Sequence, residues 1–283
     1  MKIGVVYPQI ELNGDPQAVR DFGQAAEALG YDHLLAYDHV VGATHDREPK
    51  LWGPYTEQDP FHDPFVMFAY LAGQTERLEF ATGVIILPQR QTALVAKQAA
   101  DLDLLSGERL RFGIGVGWNY VEYDALGQEF ATRGARADEQ IELMRRYWDE
   151  SLVSFNGRFD RVDRGNILPR PKRRIPIWIG GFSEPAYRRG GTLGDGFIFA
   201  GPDHAAGWER VKHHLAKAGR SAEGFGRDLI TNTATSVDAC VAAVEGWREN
   251  GGTHASVCTM GMGLDSTAAH IDFISTVRER LGG

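Results

Sequence analysis

Eight times along this chain a short apolar run, rich in β-branched and aromatic residues, gives way to a longer segment with helical period. The runs start near residues 2, 33, 78, 110, 175, 196, 228 and 254, and a helical segment follows each. Such alternation makes the strands parallel, because each helix returns the chain to the starting edge of the sheet. Eight units within 283 residues, with no linker or shift in composition, predict a single domain, one closed (β/α)8 barrel over residues 1–283. An open, doubly wound sheet is the other architecture the alternation allows. In a barrel the chemistry sits at the C-terminal ends of the strands, which narrows the polar residues that matter.

Residues 78–119 write one unit in full. A run rich in Ile, Val and Phe comes first. A helix follows, with Val95, Ala99 and Leu102 spaced i, i+4, i+7 on one face. Gly107 is placed to end that helix. A second strand then closes on Gly113, Gly115 and Gly117, with Trp118 and Asn119 after it. Elsewhere, Asp15 caps a helix with Pro16 at its first position. Residues 152–161 read as a small hairpin inserted before the fifth strand, turning at Asn156–Gly157. After Asn119 the chain reads as loop as far as residue 133. Residues 40–62 form a long irregular stretch rich in Gly, Pro, His and aromatics, a length that marks a functional loop.

Composition removes several function classes. The formal net charge is −8 and the basic residues are scattered, which argues against a nucleic-acid partner. No apolar run approaches the ~18 residues of a membrane span, and the chain enters a strand at once with no apolar leader. The expectation is a cytoplasmic protein. Cys240 and Cys258 form no ligand motif and read as small buried hydrophobes.

The expected strand ends are Pro8–Gln9, Asp38–His39, Gly83–Val84, Gly117–Trp118–Asn119, Gly180–Gly181–Phe182–Ser183 and three later turns. Glycines there let a flat ligand approach the main chain. Gly180, Gly181 and Ser183 open a helix, a geometry that suits phosphate but also serves as a plain strand-to-helix turn. A dinucleotide fingerprint fails, because its third glycine would fall at Trp118. Gly181 to Pro185 lacks the last glycine of a nucleophile elbow, and the first strand offers no metal ligands, so no metal is expected. His213–His214 lies on a helix and reads as solvated, and neither His45 nor His62 is assigned a role. His39 points into the barrel mouth, where an imidazole, with its pKa in water of about 6.5, can accept a proton.

Four segments in order resemble the luciferase-like oxidoreductases: ALGYDHLLAYDHV (28–40), LAGQTERLEFATGVIILPQR (71–90), AADLDLLSGERLRFGIGVGWN (99–119) and IPIWIGGFSEPAYRRGGTLGDGFIF (175–199). Members are (β/α)8 barrels that use FMN or the deazaflavin coenzyme F420. The Asp38–His39 pair and the Gly-Trp-Asn ending look more like the deazaflavin branch. The resemblance implies an F420-dependent oxidoreductase that moves a hydride between the deazaflavin and a small organic substrate. FMN-dependent monooxygenases and non-catalytic flavin-binding members are the alternatives. It further implies that Asp38, His39 and Trp118 lie at the cofactor ring, with His39 as general base. Gly83–Val84 would be a cis peptide behind the ring. Asn119 and Glu122 would contact the cofactor, with Gly180, Gly181 and Ser183 at its phosphate. Relatives with a Glu at the position of Trp118 use it as a proton donor, so sugar-phosphate dehydrogenation is in doubt here. Residues 40–62, with Trp52, Tyr55 and Phe61, would form a lid. A homodimer is implied, as is common among relatives. Glu108 stands where members commonly carry a second Gly.

Overall fold

The structure, a computed structural model, describes residues 1–282. Its strands are β1 (Lys2–Val6), β2 (His33–Ala36), β3 (Glu79–Thr82), β4 (Ile85–Ile86), β5 (Leu110–Gly115), β6 (Val153–Asn156), β7 (Arg161–Gly165), β8 (Ile177–Gly180), β9 (Gly196–Ala200), β10 (Gly226–Ile230) and β11 (His254–Val257). The helices are α1 (Pro16–Ala28), α2 (Pro64–Ala72), α3 (Thr92–Leu105), α4 (Tyr120–Ala125), α5 (Arg133–Asp149), α6 (Glu184–Leu193), α7 (His204–Lys217), α8 (Val237–Glu249) and α9 (Thr267–Arg280).

Eight parallel strands close on themselves in the order β1, β2, β3, β5, β8, β9, β10, β11 and back to β1. The pairing of β3 with β5 through Phe80 and Leu110 shuts the ring, which rules out the open sheet. β4 lies outside the eight: the third strand breaks at Gly83–Val84 and resumes for two residues against Ile114 and Gly115. The hairpin insertion is present as β6 and β7, but its connection is longer than a two-residue turn. Residues 157–160 wrap the Glu139 carboxylate, which accepts the N–H groups of Arg158, Phe159 and Asp160 at 2.7–2.8 Å. That side chain comes from α5, so local sequence does not announce the loop. α4 stands where the sequence pattern gives loop; at six residues it is too short for a helical period to show.

Period-2 alternation divides the strand residues between two cores. Outward-facing Val5, Leu34, Phe80, Phe112 and Phe197 pack under the helices. Inward-facing Val6, Leu35, Ala81, Trp178, Ile198 and Ile230 fill the barrel axis. Below them, at the N-terminal ends of the strands, the axis is polar. Arg111 Nη1 donates to Asp228 at 2.6 Å and its Nε donates to Glu79 at 2.8 Å. The guanidinium lies 4.6 Å from the Trp178 ring centre. His33 Nε2 lies 2.8 Å from the Ser256 hydroxyl, which donates to Asp228 at 3.0 Å. Burial and the Arg111 charge hold His33 well below its ordinary pKa, so it sits there neutral. Gly4 leaves room for the His33 ring, and Gly196 and Gly226 leave room for Trp178. The layer closes the bottom of the barrel and leaves the C-terminal end as the only mouth the strands define.

Glu108 takes φ +68°, directly after Gly107 at φ +75°. A side chain in this left-handed conformation costs about 1–2 kcal/mol, against about 0.5–1 kcal/mol for the extra chain entropy of Gly. Glu108→Gly is therefore expected to stabilise the protein by about 0.5–1 kcal/mol. An unchanged or lower midpoint of thermal unfolding would contradict this.

Candidate active site

The strands' C-terminal ends surround a cleft of about 400 Å³ whose walls include Tyr37, His39, Tyr55, Val84, Trp118 and Gly180. Its back wall is the break in the third strand. The Gly83–Val84 peptide is cis, and Val84 turns its side chain between Gly115 and Gly180. A Cβ at Gly115 would come within 2.5 Å of Val84 Cγ2, and one at Gly180 within 2.7 Å of Cγ1. The glycines at these strand ends therefore first make room for Val84. Ile86, just past the break, is held by its own N–H, which donates to Asp38 Oδ2 at 2.9 Å.

Asp38 and His39 leave β2 in opposite directions, as neighbours along an extended chain do. The Asp38 carboxylate is buried behind the wall, where Arg90 Nη2 donates to it at 2.7 Å and also reaches Asp63 at 2.9 Å. Burial pushes the Asp38 carboxyl above its usual range, and Arg90 opposes this. Asp63 caps α2, so Asp38 and Arg90 brace the wall against the next helix. The cleft borders Asp38, but its carboxylate is committed to the scaffold.

His39 faces the cleft. Three rings meet it edge-on, with centroids at 4.8 Å for Phe61, 5.3 Å for Tyr55 and 5.6 Å for Trp118. Its Nδ1 lies 3.5 Å from Glu122 Oε2. Glu122 is 1% exposed and gathers further donors: the N–H groups of Val40 and Val41, and Gln89 Nε2 at 3.0 Å. Burial alone would raise its pKa. The contacts from His39, Gln89 and Val41 outweigh burial and hold it below the ordinary carboxylate value. An ionised Glu122 on this side favours the proton on Nδ1, which leaves the Nε2 lone pair for a ligand; Nε2 makes no hydrogen bond to the described residues.

Asn119 and Glu122 thus stand behind the cleft wall rather than at it. Asn119 caps α4, its Oδ1 accepting from Val121 at 3.1 Å and Glu122 at 3.3 Å, while its Nδ2 donates to Val41 O at 3.1 Å. Both residues fasten the start of the 40–62 segment. Farther along, His45 Nε2 lies 3.1 Å from Tyr55 O, and Gly53 leaves room for the Trp118 ring. Tyr55 and Phe61 point at His39, but Trp52 does not; it is 71% exposed, with Lys50 Nζ 3.9 Å from its ring centre.

Gly180, Gly181, Phe182 and Ser183 line the other end of the cleft and lead into α6. Ser183 caps that helix without spending its hydroxyl on it. Arg133, unforeseen from the sequence, lines the same cleft. Its guanidinium lies 3.8 Å from the Phe130 ring centre, Nη1 donates to Phe130 O at 2.8 Å, and its buried Nε has no partner among the described residues. One signal was available: an arginine opening a helix sits at the positive end of the dipole, where a cation is unfavourable without an anion nearby. His214 is not merely solvated, since its Nε2 lies 2.7 Å from Glu184.

Residues 2–249 match the luciferase-like monooxygenase family. An uncharacterised Mycobacterium tuberculosis protein is 34% identical over 198 residues, 66% of this chain and 68% of that one. An F420-dependent glucose-6-phosphate dehydrogenase of Intrasporangium calvum is 33% identical over 191 residues, 65% of this chain and 53% of its own. Pyrimidine monooxygenase RutA of Allorhizobium ampelinum is 30% identical over 227 residues, 78% and 58% of the two chains. Among solved structures, an F420-dependent secondary alcohol dehydrogenase bound to an F420-acetone adduct superposes with TM-score 0.80 at 14% identity, covering 99% of this chain and 98% of that one. The monooxygenase RslO1 from Streptomyces bottropensis gives 0.79 at 17%, with both chains covered in full. At such identities these two likenesses establish the fold.

Glu122→Gln tests how the site is held. A carboxylate with a depressed folded pKa contributes stability that is full above the unfolded value of about 4.3 and is lost as pH falls through the lower folded value. The variant is expected to be about 1–3 kcal/mol less stable at neutral pH, with a flatter acid-side stability curve. Equal stability at neutral pH, with an unchanged acid limb, would refute the assignment.

Proposed function

Because the chain belongs to the luciferase-like monooxygenase family, we propose that it is a coenzyme F420-dependent oxidoreductase acting on a small organic molecule. The observation that carries this reading is His39, with Nδ1 turned to a buried carboxylate and Nε2 unspent at a cleft that also offers an anion site. Arg133 with its unpartnered Nε, the free Ser183 hydroxyl and the start of α6 fit a cofactor phosphate. The wall formed by Gly83 and Val84, opposite the aromatic cluster, fits a flat ring. The F420-dependent dehydrogenases among the relatives support the same choice.

When bound, the deazaflavin supplies a two-electron hydride acceptor or donor. The protein's share is proton handling and placement. In the oxidising direction His39 Nε2 accepts the substrate hydroxyl proton, and Glu122 stabilises the resulting imidazolium through Nδ1. In the reducing direction His39 returns that proton. Tyr55, Phe61 and Trp118 keep water from the imidazole and hold the substrate against the wall. Asp38, Arg90 and Asn119 keep the wall and the overlying loop in place. An FMN-dependent monooxygenase is the second reading, favoured by the match to RutA. The same proposal includes a homodimer, for which α2 exposes Val66 and Tyr70 and α3 exposes Leu94.

Titration with F420, read by its fluorescence, is expected to show binding at micromolar concentration or tighter; absence of binding, with FMN retained by the isolated protein and oxygen consumed, would move the assignment to the monooxygenase. His39→Ala is expected to lower kcat by about 10²–10⁴-fold with the fold and F420 affinity intact. An unaltered rate would exclude it as the base. Sedimentation should give twice the chain mass, and a monomer would overturn the dimer.

A further inference from the structure

The cleft's charge is lopsided, and that bears on the substrate. Arg133 is the only lysine or arginine among the residues that line it. It opens α5 against α6, where Arg189 Nη2 donates to Gly134 O at 3.0 Å, on the side given above to a cofactor phosphate. The opposite end, around His39, is walled by Tyr37, Tyr55, Phe61 and Trp118. Among the described residues no lysine or arginine lines that end. Burial pushes the Tyr55 phenol pKa up, and Cys258 and the carboxylates of Asp59 and Glu11 add to that. Glu11 itself is held in place by the Gly261 N–H, which donates to it at 2.6 Å. A phosphate ester placed beside His39 would lose its hydration, find no counter-cation and meet a negative potential. Recognition of a phosphate normally takes arginine, lysine or a helix N-terminus, and the single such set in this cleft is already engaged.

The wall around His39 suits the opposite chemistry. Aromatic edges and faces bury apolar surface without demanding hydrogen bonds. The unspent polar atoms there are His39 Nε2, the Tyr55 hydroxyl and Trp118 Nε1, which converge on one hydroxyl or carbonyl. From the 40–62 segment Pro54 and Tyr55 line the cleft, and neither Lys50 nor Trp52 does. The volume of about 400 Å³ must also take the cofactor ring, so the space left for substrate is small.

We propose that the substrate is a small, uncharged, largely apolar molecule that presents a single hydroxyl or carbonyl to His39, and not a phosphorylated sugar. This rests on the oxidoreductase reading above, and it separates this chain from the sugar-phosphate dehydrogenases it resembles in sequence.

The test uses three probes: cyclohexanol, glucose and glucose 6-phosphate. Binding is followed by ligand-observed saturation-transfer NMR, on free protein and on protein loaded with F420. The F420 titration is a separate arm, so its failure strikes the functional reading alone, while the probes still report on the aromatic end in free protein. In free protein, inorganic phosphate is added to fill the anion site at Arg133. Cyclohexanol is expected to receive saturation in both forms, at least tenfold more tightly bound than either sugar. Tyr55→Ala is expected to weaken cyclohexanol by about tenfold without improving glucose 6-phosphate. A second variant, Tyr55→Phe, keeps the ring and is expected to retain cyclohexanol. Turnover of cyclohexanol should exceed that of glucose 6-phosphate by at least a hundredfold in kcat/KM. Comparable or tighter binding of glucose 6-phosphate beside phosphate or F420 would overturn the proposal, as would the absence of any cyclohexanol contact.

Discussion

One buried carboxylate ties this site together. Glu122 receives the N–H groups of Val40 and Val41, the amide of Gln89 and the Nδ1 side of His39. Those four donors come from the end of the second strand, the start of the long loop and the turn beyond the broken third strand. A charge taken out of water needs this many partners, and the partners are in turn fixed by it. The imidazole's orientation, the loop's entry and the wall's position are therefore set by one group that does not line the cleft.

The barrel supplies what that carboxylate needs. Its lower axis is closed by the Arg111, Asp228 and His33 layer, so the cleft lies at the upper end. Val84 sits between glycines at the ends of two neighbouring strands, and Asp38 and Arg90 fasten the chain just beyond it. Rigid elements thus hold each face of the cleft: strand ends behind, α6 at the end lined by Ser183, and a loop pinned by Asn119, His45 and Trp118 above.

The eight-unit architecture was legible in the sequence because period 2 and period 3.6 are both written in the apolar residues of each unit. So were the strand ends, and His39 among them. What escaped notice depended on contacts distant along the chain. The Glu139 carboxylate shapes a hairpin loop some 20 residues away, and Asn119 caps a helix too short to carry a period. Resemblance alone made Asn119 and Glu122 cofactor contacts; geometry makes them the supports of His39 and the loop. Asp38 is divided in the same way, beside the cleft by position and part of the scaffold by its bonds. Arg133 left a faint trace, a cation where a helix dipole disfavours one, and only the fold shows what it faces.

On this geometry Glu122 holds His39 with Nδ1 protonated and Nε2 open. Nitrogen-15 NMR of the His39 ring reads this directly, on protein labelled at histidine and assigned by comparison with His39→Ala. In mildly alkaline solution the wild type should show a protonated Nδ1 and an unprotonated Nε2, and Glu122→Gln should shift the balance toward the Nε2–H tautomer. A wild-type ring already in the Nε2–H form, or a tautomer ratio indifferent to Glu122→Gln, would contradict the account.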